Sequence, residues 1–156
     1  SLIAGKKDIM NTSKKTFISS TMWTERVGPT AALAALKEME RIKSWRKITK
    51  MGNYIKKNWV KIAKKNNLKL KVYGIASIPK FEIVSKKFNF YKTFITSEML
   101  KKNILATNYI FVSVAHTKSK VDRYLKYLNL AFEKVSQMES NKKKFYIFKQ
   151  ATFFKK

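Results

Sequence analysis

The stretch Phe17-Ile18-Ser19-Ser20-Thr21-Met22-Trp23-Thr24-Glu25-Arg26-Val27-Gly28-Pro29-Thr30-Ala31-Ala32-Leu33-Ala34 decides how this chain is read. Thr16, Phe17 and Ile18 are β-prone, and Ser19, Ser20 and Thr21 end that run in short hydroxyl side chains, which can bond nearby backbone and close a turn. Gly28-Pro29 then predicts a helix start with proline at the first position, where its missing N–H costs nothing. Ala31, Ala32, Ala34 and Ala35 favour the helix and allow close packing. Leu33, Leu36 and Met39 mark one of its faces.

Downstream, Ser44 predicts the cap of a second helix with an apolar face of Trp45, Ile48, Met51, Ile55, Trp59 and Ile62, at three- and four-residue spacing. Asn66-Asn67 suits its C-terminal end. The period then changes. Leu70, Val72 and Ile75-Ala76 predict a strand broken near Gly74, and Phe81, Ile83 and Val84 a second. A helix is expected over residues 91–102, ended by Asn103. Tyr109-Ile110-Phe111-Val112-Ser113-Val114 reads as a buried strand. Val121, Tyr124, Leu125, Leu128, Ala131, Phe132 and Val135 form the stripe of a last helix, with Ser119 as cap. The order β-β-α-β-α predicts helices on one face of a small, mostly antiparallel sheet.

Upstream, Leu2-Ile3-Ala4 is a short strand candidate ending at Gly5, and Lys7-Asp8-Ile9-Met10 one helical turn. No leader is read here: the apolar run is too short, and basic residues follow it rather than precede it. The chain has 156 residues, 45% of them hydrophobic, which provides a core and argues against wholesale disorder. The absence of cysteine excludes disulfides, thiol catalysis and zinc–thiolate sites. No apolar run reaches the roughly 20 residues that span a bilayer, so a soluble, cytoplasmic protein is expected.

The net charge of +26 raises nucleic acid and anionic lipid as partners. The cations are nearly all lysine, with only Arg26, Arg41, Arg46 and Arg123 as arginine, and they spread along the whole chain. Arginine is the residue of bidentate base and phosphate recognition, so a specific nucleic-acid reader is not the leading reading. A small basic nucleic-acid-binding module stays as an alternative. The basic and aromatic tail over residues 139–156, with Phe145, Tyr146, Phe148, Phe153 and Phe154, is read as a segment laid over the domain, against a membrane or single-stranded nucleic acid contact.

Three stretches resemble one enzyme family. Ala4-Gly5-Lys6-Lys7-Asp8-Ile9-Met10 is similar to the segment that follows the cofactor lysine in class III aminotransferases dependent on pyridoxal 5'-phosphate. Residues 17–34 resemble the next loop and helix of that family. Phe111-Val112-Ser113-Val114-Ala115-His116-Thr117, with the helix after it, resembles its last strand and helix. The matches occur in family order over residues 1–138, in the glutamate-1-semialdehyde aminomutase-like branch.

The resemblance implies an α/β fold: the C-terminal part of a fold-type-I transferase. Residues 1–27 would be the tail of the large cofactor domain, 28–67 linking helices, 68–138 the small domain and 139–156 the tail. It implies a homodimer acting on a small-molecule amino donor and acceptor, with no specific nucleic acid and no membrane. Thr21, with Ser20, matches the position that meets the cofactor phosphate across the dimer interface; short neutral donors suit a phosphate. The bland reading is that these hydroxyls only close a turn. No catalytic residue is expected here. The lysine that forms the Schiff base in the family lies upstream of the segment matched by Ser1, as does the aspartate facing the pyridine nitrogen, so the chain reads as truncated and inactive alone. His116, the only histidine, is read as structural rather than acid–base, and Glu25 and Arg26 as a surface ion pair rather than a substrate contact. Asn108 departs from the family: aminomutases carry glutamate near this position. Plain amino transfer is therefore the leading activity, and an intramolecular amino shift the alternative.

Overall fold

A computed structural model of the chain describes residues 5–17 and 25–140. The expected strand at Leu2-Ile3-Ala4, the loop with Ser20 and Thr21, and the tail beyond Ser140 lie outside the described residues. The chain divides into two units, residues 1–42 and 43–156.

In the first unit, the expected turn forms as α1 (Lys7–Met10) and continues into a 3-10 turn, Asn11–Lys15. Ser13 Oγ donates to the Met10 carbonyl at 2.6 Å and Thr16 Oγ1 to the Ser13 carbonyl at 3.0 Å, which closes this segment locally. Helix α2 spans Val27–Ile42 and begins slightly before Pro29. Proline is tolerated there because first-turn N–H groups have no intrahelical acceptor. The Leu33, Leu36 and Met39 stripe forms as expected but stands exposed, and α2 has no buried residue.

The second unit holds the core. Lys43 takes a left-handed conformation (φ 50°) and starts α3 (Ser44–Lys65). Ser44 is not the cap that its type predicted. It is the first helical residue, buried, and its Oγ has no hydrogen-bond partner among the described residues. The expected apolar face holds from Ile48 to Ile62, with Ile55 and Trp59 fully buried, while Trp45 lies beyond the core and is half exposed. Asn67 (φ 55°) ends the helix in the left-handed region, as the asparagine pair predicted, and Leu68 N–H reaches back to the Ala63 carbonyl at 2.9 Å. The outer side of α3 carries Arg46, Lys47, Lys50, Lys57, Lys61, Lys64 and Lys65, and the helix has no acidic residue.

Strands β1 (Leu70–Tyr73) and β2 (Lys80–Ile83) pair antiparallel, with Val72 opposite Phe81 and Lys71 opposite Glu82. The first strand is shorter than expected. Gly74 (φ 80°) turns the chain, and Ile75 is exposed rather than paired. A side chain at Gly74 would meet the Ile78 carbonyl at 2.5 Å, so the turn requires glycine. Helix α4 (Phe88–Leu100) buries Tyr91, Phe94, Ile95 and Met99. The expected buried strand over residues 109–114 forms only in part. It touches β2 through the Lys80–Tyr109 bridge, and Tyr109, Phe111 and Val114 face outward. Helix α5 (Lys118–Ser140) buries the whole predicted stripe and extends it to Met138. Its start is served by Thr117, whose Oγ1 accepts from Lys120 N–H at 3.4 Å, not by Ser119. The fold is α/β: helices packed against a small antiparallel sheet.

Trp59 of α3, Phe81 of β2 and Phe132 of α5 meet edge to face, at 4.9 Å and 5.5 Å between ring centroids. Such pairs add about 0.5–1.5 kcal/mol each beyond area burial. Trp59 Nε1 donates to the Tyr124 hydroxyl at 3.0 Å, so the buried indole is satisfied. Tyr54 donates to Asp122 at 2.6 Å and Asn66 to Asn129 at 3.0 Å, which fixes α3 against α5 above and below the indole. Glu98 joins α4 to α5: it accepts from Lys101 at 2.5 Å and also from Lys134. Burial alone would raise the Glu98 pKa, but the two lysine hydrogen bonds and charges more than offset that and hold it below its ordinary value.

Two outcomes follow from this packing. A Cβ on Gly52 would lie 1.7 Å from the Ala76 carbonyl oxygen, where no side-chain shift can relieve it. Gly52→Ala should therefore lower stability by about 3 kcal/mol, while exposed Asn53→Ala changes it by about 0.5 kcal/mol or less in the same denaturant titration. Glu98→Gln should destabilise near neutral pH. Because the folded-state pKa is depressed, the wild-type advantage is complete above the ordinary carboxylate value and is lost as pH falls through the depressed one. Melting curves at stepped pH check this; a gap constant down to strong acid would refute it.

Candidate functional site

Helix α4 ends at Asn103, again left-handed (φ 56°), with Ile104 N–H bonded back to the Met99 carbonyl at 3.1 Å. This turn delivers residues 104–107 to the side of α5 and residues 108–112 to the side of β2. Phe81 N–H donates to the Asn108 carbonyl at 2.9 Å, Ile110 N–H to the Pro79 carbonyl at 3.2 Å and Val112 N–H to the Ser77 carbonyl at 2.9 Å. The inward residues Ile110 and Val112 close on the core. The outward ones, Tyr109 and Phe111, pack edge to face at 5.5 Å, with the Lys80 ammonium 5.9 Å from the Tyr109 ring.

Between residues 103–111 and the first turns of α5 lies an open cleft of about 880 Å³. Its lining is largely apolar, with Ile104, Leu105, Ile110 and Tyr124, and its polar groups are mainly His116, Lys120 and Arg123. No carboxylate among the described residues lines it. Lys120 Nζ donates to the Ala115 carbonyl at 3.1 Å and Arg123 to the Lys102 carbonyl at 3.3 Å, so both cations are held at the rim. The sequence carried a weak signal for this place: an asparagine stop followed by Ile104-Leu105-Ala106, an apolar run too short for an element of its own.

His116 does not face a catalytic partner. Its Nδ1 accepts the Ser113 N–H at 3.0 Å and lies 3.1 Å from Ser113 Oγ. A backbone N–H only donates, so Nδ1 carries no proton in this arrangement and the ring serves to close the turn before α5. Asn108 is likewise committed to the sheet: its amide donates to the Phe81 carbonyl at 3.1 Å, and its Oδ1 accepts from Thr107 at 3.3 Å. Glu25 and Arg26 make no ion pair with each other among the described residues. Thr21 and Ser20 lie outside the described residues.

The ionisable groups nearby are structural. Hydrogen bonds from Lys118 and Tyr54 draw the Asp122 carboxyl below its ordinary value, and the bond to Asp122 draws Lys118 above its own. Burial pushes the Tyr124 hydroxyl up, and its bond from Trp59 only partly counters this. No lysine among the described residues is buried, and no group of three or more histidine or acidic side chains that could hold a metal ion occurs among them. No described helix is long and apolar enough to cross a membrane.

No protein-family model matches the chain, and no curated protein does. Among solved structures, the chain is similar to the FumI protein of Sphingopyxis sp. MTA144, determined in its PLP internal aldimine form, with 20% identity and a TM-score of 0.73. The match covers 88% of this chain and 34% of the FumI chain, so the chain spans about a third of that protein's length. At this identity the likeness shows the fold, which is that of one part of a PLP-dependent enzyme.

The commitment of Asn108 is checked by Asn108→Asp. The substitution removes the donor to Phe81 and sets a carboxylate against a carbonyl, and should lower stability by about 1–3 kcal/mol. Equal stability in calorimetry would free Asn108 for a role in the cleft.

Proposed function

We propose that this chain is the C-terminal portion of a PLP-dependent aminotransferase, moving an amino group between a small-molecule donor and acceptor in a homodimer. The observation that supports this most is the shared fold with FumI over 88% of the chain. The ordered resemblance of residues 4–10, 17–34 and 111–117 to class III aminotransferases supports the same reading. When bound, the cofactor supplies an electrophilic carbonyl and an electron sink.

On this reading the described residues do not hold that carbonyl. An amine that attacks it needs a pKa lowered by burial or by neighbouring cations. The described lysines are not buried, and Lys118 is shifted upward instead. On this reading the reactive lysine belongs to sequence outside this chain, and no chemical step falls to the described residues. Their part is the small domain that closes on the site. Thr21 and Ser20 are proposed to hold the phosphate of PLP, on the strength of the loop resemblance alone. Amino transfer is favoured over an intramolecular shift because Asn108 stands near the position of the aminomutase glutamate, and its amide is spent on Phe81.

Two experiments test the proposal. Incubation of the chain with PLP, borohydride reduction and peptide mapping should give sparse labelling over many exposed lysines; stoichiometric labelling of one lysine would overturn it. In the dimer reconstituted with the remaining sequence, Thr21→Ala and Thr21→Val should weaken cofactor retention about ten- to hundredfold, since a hydrogen bond to a charged group contributes about 1.5–3 kcal/mol. Thr21→Ser should stay near wild type. Unchanged retention in both the Ala and Val variants would make Thr21 a turn residue only.

A further inference from the structure

The sheet ends on an edge with an unmatched side. The bonds from Phe81, Ile110 and Val112 direct the inner backbone groups of residues 108, 110 and 112 toward residues 77–81. Lys80 and Tyr109 therefore form a non-hydrogen-bonded pair, flanked by those bonds. By the alternation of an antiparallel ladder, the N–H and C=O of Tyr109 and Phe111 point the other way, where no described strand pairs with them. Tyr109 and Phe111 also line the cleft. Ile104, Ile110 and Tyr124 give it an apolar lining, and the space beside the edge is of the kind that a further strand fills.

The exposure of this place is unusual. Phe111 is 67% and Leu105 88% exposed. Proteins usually blunt such edges with charge, proline, a bulge or a covering segment. Here neither residue 109 nor residue 111 is charged or proline. The rim carries Lys120 and Arg123, neither paired with a carboxylate among the described residues, and the chain bears +26 overall. A second copy would bring the same positive charge to the same rim, so self-pairing is electrostatically opposed. An acidic chain is favoured instead.

We propose that the edge at Tyr109 and Phe111 is a docking site for an extended segment of another polypeptide, alternating apolar and acidic residues, which adds a strand to the sheet and lays its apolar side chains in the cleft. The backbone of Tyr109 and Phe111 supplies the pairing. The lining selects apolar side chains, and the positive rim of Lys120 and Arg123 favours a segment of net negative charge. This surface does not depend on the PLP reading, since neither cofactor nor amino transfer enters the argument.

The test uses the full chain and a fluorescein-labelled peptide of about nine residues alternating valine and glutamate, a common strand length. Its anisotropy should rise saturably, and the same peptide N-methylated at alternate residues should bind about tenfold more weakly or less, because charge and side chains are kept while ladder donors are lost. Phe111→Pro should weaken the parent peptide to a similar degree. It removes only the outward N–H, since the bonds to Ser77 and Pro79 come from Val112 and Ile110. Lys120→Glu with Arg123→Glu should reverse the preference toward a valine–lysine peptide. The N-methylated arms leave the protein untouched, so the proposal stays testable if the proline variant fails to fold. Equal binding of parent peptide and both methylated registers would reduce the site to unspecific charge attraction and overturn it. No saturable binding up to about 1 mM, or a dimer in sedimentation that dissociates on Phe111→Pro, would overturn it as well.

Discussion

The Trp59 ring is the constraint on which the second unit depends. It is fully buried, it touches Phe81 edge to face, and Phe81 in turn touches Phe132. One line of aromatic contacts thus joins a helix, a strand and a second helix that are far apart in sequence. Burying an indole leaves an N–H to satisfy, and an unmet one would cost about 1–3 kcal/mol. The Tyr124 hydroxyl meets it. That bond fixes the rotation of α5, because Tyr124 can reach Trp59 only when the Val121–Leu128–Phe132 stripe faces inward. Tyr54–Asp122 and Asn66–Asn129 repeat the same pairing of α3 with α5 at other levels. The sheet is small, with two regular strands. Its position is set from beneath by Phe81 and Ile83 and from the side by the close approach of Gly52 to Ala76.

What could be read beforehand follows from how local each signal is. The stripes of α3 and α5 were legible because a long amphipathic helix repeats its signal over several turns, and packing agrees with it at each. Caps were not. Ser44 and Ser119 have the right residue type, but a cap depends on the backbone of one position, and Lys43 and Thr117 occupy those positions instead. In the run Tyr109–Val114, six successive β-prone residues demand burial. The structure meets that demand on one side only. The Leu33–Leu36–Met39 stripe of α2 shows the same thing: apolar pattern reports what a segment needs, not whether its partner belongs to the same unit. Thr21 and Ser20 remain legible only through resemblance, since they fall outside the described residues.

The function reading rests on two unlike supports. The fold likeness to FumI is broad but says nothing about individual side chains at 20% identity. The family resemblance is narrow but names residues. They agree on the fold: the FumI likeness shows it, and the resemblance implies it. In the second unit, Leu105 and Phe111 at the cleft and the sheet edge are among the most exposed apolar side chains.

Helix α3 runs Ser44–Lys65 with a cationic outer side and no carboxylate to answer it. Its packed side is fixed by Trp59, so those lysines cannot disperse when the chain folds; they are lined up along one rod. A folded rod of like charges gathers an ionic atmosphere denser than that of the unfolded coil. Part of the cost of folding is then borne by chloride, phosphate or whatever anion the medium offers. With a screening length of about 10 Å at 0.1 M salt, neighbouring turns of α3 stay within each other's reach. The stability of this fold is thus a joint property of the polypeptide and its electrolyte, and two buffers of equal pH and different anions hold two measurably different proteins.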